Sequence, residues 1–187
     1  MRYPDTHKAE VKEKIVRAAA RLFRRDGLEA VSIPSLMKEV GLTHGGFYNH
    51  FADRDALVAE AVLAAAHDGA IADESRTFEA TVRDYLSDAH AQHPEVGCVL
   101  AALGPDASRQ GKAVRRTFAE VARGFFARLE AKRLGAASAS RRKSPTDETL
   151  AVGAQLVGAV VLARLVDDPE LAKRILAVAR KEALERA

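Results

Sequence analysis

The stretch from Val31 to Leu57, VSIPSLMKEVGLTHGGFYNHFADRDAL, constrains the fold more tightly than any other part of the chain. Ser32 is placed to cap a short helix, and Pro34 falls in its first turn, where a missing amide hydrogen costs little. Leu36, Met37 and Val40 give that helix a face to bury. Gly41 suits a left-handed helix end, Leu42 packs back against it, and Thr43 is placed to cap a second short helix. Two short helices joined by a glycine turn make a helix-turn-helix unit.

In the second helix Phe47 and Phe51 lie one turn apart and face inward, which leaves Thr43, His44, Gly46, Tyr48 and His50 for the outer surface. Gly45 and Gly46 each lower helix propensity by roughly 1 kcal/mol, so helix stability does not explain them. Lacking side chains, they let the backbone approach phosphates or base edges. Thr43, Tyr48 and His50 each carry a group that can hydrogen-bond a phosphate oxygen. Such a surface suits a DNA groove better than a solvated face.

The segment GLTHGGFYNHFADRDAL resembles the turn, recognition helix and following helix start of the TetR/AcrR-type bacterial transcriptional regulators, and RLFRRDGLEAVS resembles the end of that family's first helix. The resemblance covers Val11 to Leu57 closely and the remainder only as a helical pattern. It implies phosphate contacts from Tyr48 and His50, base-edge contacts from Thr43 and His44, and a backbone contact from Arg54, the basic residue that opens the next helix. The chain departs from the family at His44, where a lysine, serine or other small or basic residue is usual, and at Asn49, where histidine or tryptophan is common. Those positions bear on the base sequence read, not on DNA binding itself. The DNA-reading set is thus Thr43, His44, Gly45, Gly46, Tyr48, Asn49, His50 and Arg54.

A chain of 187 residues, 48% of them hydrophobic, can bury a real core. Abundant alanine and leucine, prolines at helix boundaries and no alternating β-branched run argue for an all-α protein. The expected architecture is an N-terminal three-helix DNA-binding domain at 7–52 followed by a larger helical domain for ligand binding and dimerisation at 53–187. No uninterrupted apolar run reaches membrane-spanning length and the first residues lack the apolar core of a secretion signal, so the expected location is cytoplasmic, without a membrane partner. Cys98, the single cysteine, excludes an internal disulfide and fits a reducing compartment.

The net charge of +3 hides an uneven distribution, acidic over 57–108 and basic over 109–143. The basic block reads as a solvated face that pairs with the acidic one, because its arginines and lysines are interleaved with a core pattern. Met1 to Thr6 reads as an arm in which Arg2 alone offers a charge to a minor groove. Helix 1 is expected from His7 to Asp26, with Val11, Ile15, Ala18, Leu22 and Phe23 on its buried face; Lys8 and Lys12 are free either for a phosphate or for solvent.

Asp53 is placed to cap a long helix from Arg54 towards Gly69, the natural lever between the two domains. FEATVRDYLSDAHAQ reads as one helix ended by His93-Pro94. A short segment follows from Cys98 to Leu103, broken by Gly104-Pro105, then a long helix from Arg109 to Leu134 striped by Val114, Phe118, Val121, Phe125 and Leu129. GAASASRRKSP reads as a flexible linker.

Ser144-Pro145 and Asp168-Pro169 open two terminal helices, expected at Pro145 to Val166 and Pro169 to Arg186. Leu150, Ala154, Val157, Val161 and Leu165, with Leu171, Ile175 and Val178, leave more apolar surface than one chain can cover, so a second copy is the economical partner. The family resemblance implies the same, a four-helix bundle between twins whose recognition helices reach successive major-groove faces of a pseudo-palindromic operator.

The resemblance also implies a cavity among the central helices for an unknown small-molecule effector. Phe78, Tyr85, Phe118, Phe125, Phe126 and Gln155 are the candidates to line it, each with plain packing as its alternative; Gln155 stands out as an amide in an apolar helix, where it needs a partner. Cys98, at the start of a short helix, is either a small buried residue or a thiol that senses oxidants or electrophiles. His90 and His93 with Cys98 nearby are too weak a signature for a metal, and no cofactor is expected. The chain shows no G-x-S-x-G, H-E-x-x-H or Walker-type loop, which argues against an enzyme. The sequence therefore points to a dimeric DNA-binding repressor released by a ligand, with an activator role open as to sign. A helical dimeric interaction protein that never meets DNA is the rival, but it leaves Gly45, Gly46 and Tyr48 unexplained.

Overall fold

The computed structural model describes residues 5–186, and all regular structure among them is helical. Residues 1–4, which carry most of the expected arm including Arg2, lie outside the described residues. Helix α1 (Asp5–Asp26) begins two residues before the expected start at His7. It buries Ile15, Val16, Ala19, Ala20, Leu22 and Phe23.

Helix α2 (Ile33–Glu39) starts as expected: the Ser32 hydroxyl accepts from the Ser35 amide, and Leu36 and Met37 are fully buried. Gly41 has φ +75, a left-handed conformation, and the Leu42 amide donates back to the Met37 carbonyl at 2.8 Å. The second helix of the unit differs from expectation. His44–Asn49 is a 3-10 helix, and Thr43 precedes it without any side-chain capping bond. A six-residue run containing two glycines is closed more readily by i to i+3 bonds, such as Gly46 N–H to Thr43 O at 3.0 Å, than by a full α-turn.

Helix α3 (Arg54–Ala65) is capped by Asp53, which accepts from the Ala56 amide at 2.8 Å, but it stops at Ala65 instead of running towards Gly69. The single helix expected after Thr77 is two, α4 (Phe78–Tyr85) and α5 (Asp88–Gln92), because Ser87 is extended and its hydroxyl caps the second by accepting from the His90 amide. Helix α6 (Val99–Ala107) runs through Gly104-Pro105, which was expected to end it; Pro105 is near enough to the terminus to remove a single backbone bond.

Helix α7 (Lys112–Leu134) starts after Gly111, and a one-turn α8 (Ala136–Ala139) sits in the expected linker. Helix α9 (Asp147–Leu165) is capped by Thr146, not by Ser144, so Pro145 stands before the helix. Helix α10 (Pro169–Glu185) opens as read, with Asp168 accepting from Glu170 and Leu171 amides.

Two apolar cores share α7. The first joins α1, α2, the 3-10 helix and α3 to Val99 and Leu103 of α6 and to Val114, Phe118 and Val121 of α7. The second joins Phe78, Val82, Tyr85 and Leu86 to Phe125 and Leu129 of α7 and to the inner faces of α9 and α10. By length and composition α9 could cross a membrane; here Val152, Leu156, Ala159, Val160 and Ala163 are buried in this second core.

One buried carboxylate fixes where α9 begins. Glu130 of α7, 3% exposed, accepts from the Thr146 amide and hydroxyl at 3.2 Å each and from the Thr149 hydroxyl. Burial opposes its ionisation, but the donors of Thr149 and Thr146, with Arg142 nearby, outweigh that and hold its pKa below the ordinary 4.5. A depressed carboxylate stabilises the fold fully above 4.5 and loses that contribution as pH falls below it. Glu130→Ala should therefore lower stability in urea unfolding at neutral pH by roughly 2–4 kcal/mol, since it orphans buried donors, and should flatten the loss of stability in acid.

Candidate functional site

The outer face of the 3-10 helix is held from beneath. Phe47 and Phe51 are buried with rings stacked at 5.3 Å between centroids, and each buried aromatic contributes roughly 1.5–3 kcal/mol of anchoring. Tyr48 is 62% exposed; its ring meets Phe47 edge-on at 5.1 Å and His44 at 5.9 Å. Thr43, His44, Gly45 and Asn49 are exposed beside it, and Gly46 and His50 are half-buried. The Thr43 hydroxyl makes no capping bond and so remains available to another molecule.

The fold itself makes no demand for glycine at either position. A Cβ at Gly45 would meet nothing within 4 Å, and one at Gly46 would make ordinary contacts with Thr43 Oγ1 at 3.5 Å and Met37 Cε at 3.8 Å. Neither has a positive φ. His50 Nδ1 is buried without a partner, and burial followed by the charges of Lys8 and Lys12 holds its pKa below 6.5, so the ring is neutral at neutral pH. Arg54 is turned inward: its guanidinium donates to the Leu28 carbonyl and lies 5.7 Å from the Phe23 ring centroid. Lys12 likewise sits over Phe51 and pairs with Glu60 at 2.7 Å.

The terminal helices leave an apolar strip uncovered. Leu165 is 73% exposed and Leu150, Leu162, Leu171 and Val178 are also exposed, with Ala154 among them and Val157, Val161 and Ile175 half-buried. Gln155 does not face a cavity; its amide donates to the Ala179 carbonyl at 3.0 Å and so ties α9 to α10.

A cavity of about 250 Å³ lies where the segment after α3, helices α4 to α6 and α7 meet. Tyr85 and Phe125 line it, as the sequence suggested, together with Cys98, Ile71, Leu100, Val121 and Arg128. Phe78, Phe118 and Gln155 do not. Phe78 belongs to the second core, Phe118 to the first, and Phe126 packs over Gly153. Helical periodicity identifies an inward face without saying whether a void or a neighbour meets it.

His90, singled out in the sequence only as a weak metal ligand, is the hub of the cavity wall. Its Nδ1 lies 2.6 Å from the Tyr85 carbonyl, its Nε2 accepts from the Cys98 amide at 2.9 Å, and its ring meets Tyr85 edge-on at 4.5 Å. This pairing requires the neutral Nδ1–H tautomer and occupies both nitrogens. Among the described residues no three His, Cys, Asp or Glu side chains gather as a metal site. Arg164 of α9 closes the wall from behind, with Nε on the Ala91 carbonyl at 2.9 Å and Nη2 on the His90 carbonyl at 2.8 Å.

Arg24 is a buried cation that ties α1 to the cavity wall. It is 4% exposed, and its guanidinium donates to the Ala20 carbonyl at 3.0 Å, to the Gly97 carbonyl at 2.9 Å and to Asp68 Oδ2 at 2.9 Å. Gly97 and Asp68 both line the cavity, so α1 is bonded directly to the cavity wall. The signal was present: Arg24 continues the stripe Val16, Ala20 at a spacing of four.

Residues 15–61 match the family model described as bacterial regulatory proteins, tetR family. A 52-residue segment, 28% of this chain and 18% of the relative, is 38% identical to the uncharacterized HTH-type transcriptional regulator YerO of Bacillus subtilis (strain 168). The match thus spans under a fifth of that relative. Among solved structures, reduced E. coli NemR has a TM-score of 0.65 at 16% identity over 94% of this chain and 96% of its own, a likeness of fold. The Bacillus subtilis regulator FadR in complex with stearoyl-CoA has a TM-score of 0.49 at 15% identity over 92% of this chain and 95% of its own.

Burial first, then the charge of Arg164, lowers the His90 pKa below 6.5 against the opposing Tyr85 carbonyl and Asp84. A depressed histidine contributes stability above 6.5 and loses it as pH falls below, because protonation breaks the bond from the Cys98 amide. His90→Gln should remove its part of the acid slope, at most about 1.4 kcal/mol per pH unit, in urea unfolding followed across that range. His50 contributes with the same sign, so the difference between variant and wild type is the quantity to measure.

Proposed function

We propose that this chain, whose residues 15–61 belong to the tetR family of bacterial regulatory proteins, is a homodimeric transcriptional repressor released from a pseudo-palindromic DNA operator by a small molecule. The observation that carries this reading is the exposed face of the 3-10 helix, anchored by Phe47 and Phe51 and built with two glycines that the fold does not need. Glycine there serves close approach to a duplex. In this reading residues 7–52 read DNA, and 53–187 bind the effector and the twin.

Thr43 and His44 touch base edges, Tyr48 and His50 hydrogen-bond phosphates, and Gly45, Gly46 and Asn49 set how near the backbone comes. Arg54 is assigned a phosphate from the guanidinium edge left over by the Leu28 carbonyl, while it braces α3. The uncovered strip on α9 and α10 pairs with the same strip of a second copy, which buries Leu165 and fixes the spacing of two reading heads. An effector in the 250 Å³ cavity presses on Gly97 and Asp68, and through Arg24 tilts α1 with the head it supports. These parts together suit a cytoplasmic repressor of transcription.

The direct test is a shift assay on the DNA flanking the protein's own gene, with heparin retention and its loss in salt as the first screen. Tyr48→Phe should weaken binding to all sequences by roughly 1 kcal/mol, whereas His44→Ala should change base preference. Gly45→Ala should leave thermal stability equal or higher by up to about 1 kcal/mol and yet lower DNA affinity. A Gly45→Ala protein that binds as well as wild type removes the close-approach argument. Absence of any duplex binding at low salt would leave the helical interaction protein as the better reading.

Leu165→Glu changes a residue that is 73% exposed in the single chain, so it should keep the helical fold while abolishing the dimer in sedimentation and greatly reducing operator affinity. A Leu165→Glu protein that sediments as a dimer contradicts the assigned face.

A further inference from the structure

Three side chains on the cavity wall carry a full charge at neutral pH: Asp68, Asp84 and Arg128. Asp68 accepts from the Arg24 guanidinium at 2.9 Å and Asp84 lies 3.4 Å from Arg76 Nη1, so each carboxylate already faces a cation. Both are exposed, as are His93 and Val96, and these four mark the mouth. His93 pairs with Glu95 at 3.1 Å, His90 uses both ring nitrogens, and the Ser87 hydroxyl accepts from the His90 amide. The Tyr85 hydroxyl has no partner, but its oxygen is fully buried and does not open onto the void.

Arg128 differs from all of these. It follows Val121 and Phe125 at spacings of four and three, so the three form one stripe of α7 along the wall. A Cβ added at Gly124 would lie 3.5 Å from Arg128 Nη1, which places the guanidinium back over the turn that carries Val121 and Phe125. The side chain is half-buried, and among the described residues it has neither a hydrogen-bond acceptor nor a carboxylate. A guanidinium withdrawn from water without a partner favours an anion, and a carboxylate fits its fork with two parallel bonds.

The deeper wall is hydrocarbon, from the buried Ile71, Val99, Val121 and Phe125. It suits a ligand whose body is apolar. One free cation balances one negative charge, while a phosphate monoester brings nearly two past the carboxylates at the mouth. At about 250 Å³ the space lies just below the usual 300–1,000 Å³ of ligand pockets, which limits the body to a single ring or a short chain.

We infer that the cavity binds a compact apolar monocarboxylate, its carboxylate forked onto Arg128 and its ring or chain packed against Ile71, Val99, Val121 and Phe125. The inference rests on the reading of that cavity as the effector site.

The test uses the full chain with phenylacetate, 3-phenylpropanoate, cyclohexanecarboxylate and octanoate, each beside its primary amide, which has nearly the same shape and no charge. In isothermal titration calorimetry at neutral pH the best acid should bind at least about tenfold more tightly than its amide, and at least about tenfold more tightly than acetate, which lacks the apolar body. Arg128→Gln should abolish the preference for acid over amide, and Arg128→Lys should keep part of it. Arg128 has no partner to lose, so both variants should retain the helical signal in circular dichroism. Equal binding of acid and amide, acetate binding as well as the larger acids, no binding by any acid, or a preference that survives in Arg128→Gln overturns the inference. Acids that bind through Arg128 but leave the DNA shift unchanged support it and strike the effector reading instead. Release of DNA by acid and amide alike, unaltered in Arg128→Gln, overturns it while the effector reading stands.

Discussion

The guanidinium of Arg24 is the bond on which the relation between the two ends of the molecule depends. A buried cation is tolerated because three acceptors surround it, and those acceptors come from α1 itself, from the loop before α6 and from the segment after α3. Asp68, its ion-pair partner, is half open to solvent, so part of the charge is compensated at the surface while the guanidinium stays inside. This asymmetry makes the pair a directional tie: the arginine cannot leave without an unpaired charge remaining in the core, whereas the loop it holds can shift.

Helix α6 is held at both ends, to α1 and to the loop before α2. Gly97, just before it, accepts from Arg24, and Asp106 near its end accepts from the Leu28 amide at 3.0 Å. Beyond it, Gln110 donates to Glu29 at 2.8 Å. The sequence suggested α3 as the lever between domains, and α3 does pack against both α1 and α7 through its buried stripe. Apolar contacts, however, tolerate small sliding, whereas hydrogen bonds at two ends of a short helix define a position. The cavity wall beside Cys98 is thus bonded both to α1 and to the loop before α2.

How much of this was legible in the sequence follows from the range of the forces involved. The turn at Gly41, the caps of Ser32, Asp53 and Asp168, and the inward Phe47 and Phe51 are set by neighbours within one helical turn, and the sequence predicts them. The break at Ser87 was missed because a serine inside an amphipathic run is equally a surface residue and a cap; only the bond to the His90 amide decides. The 3-10 geometry of His44–Asn49 was missed for a similar reason, since i+3 and i+4 closure leave the same residues buried. For the cavity, periodicity points to Tyr85 and Phe125 but does not separate Phe78, Phe118 and Gln155 from them, because a void is a property of three or four helices at once. Arg24 continues the stripe of Val16 and Ala20, but neither it nor Glu130 can be told from a surface charge by spacing alone, because the partners that allow burial lie far along the chain.

The 3-10 helix makes few backbone bonds of its own and takes its rigidity from Phe47 and Phe51 beneath it. Thr43, His44, Tyr48 and Asn49 consequently carry almost no responsibility for folding. Exchange at these four positions therefore carries little structural penalty, so the outer face of this helix is free to change its chemistry on a constant scaffold without the host first being stabilised.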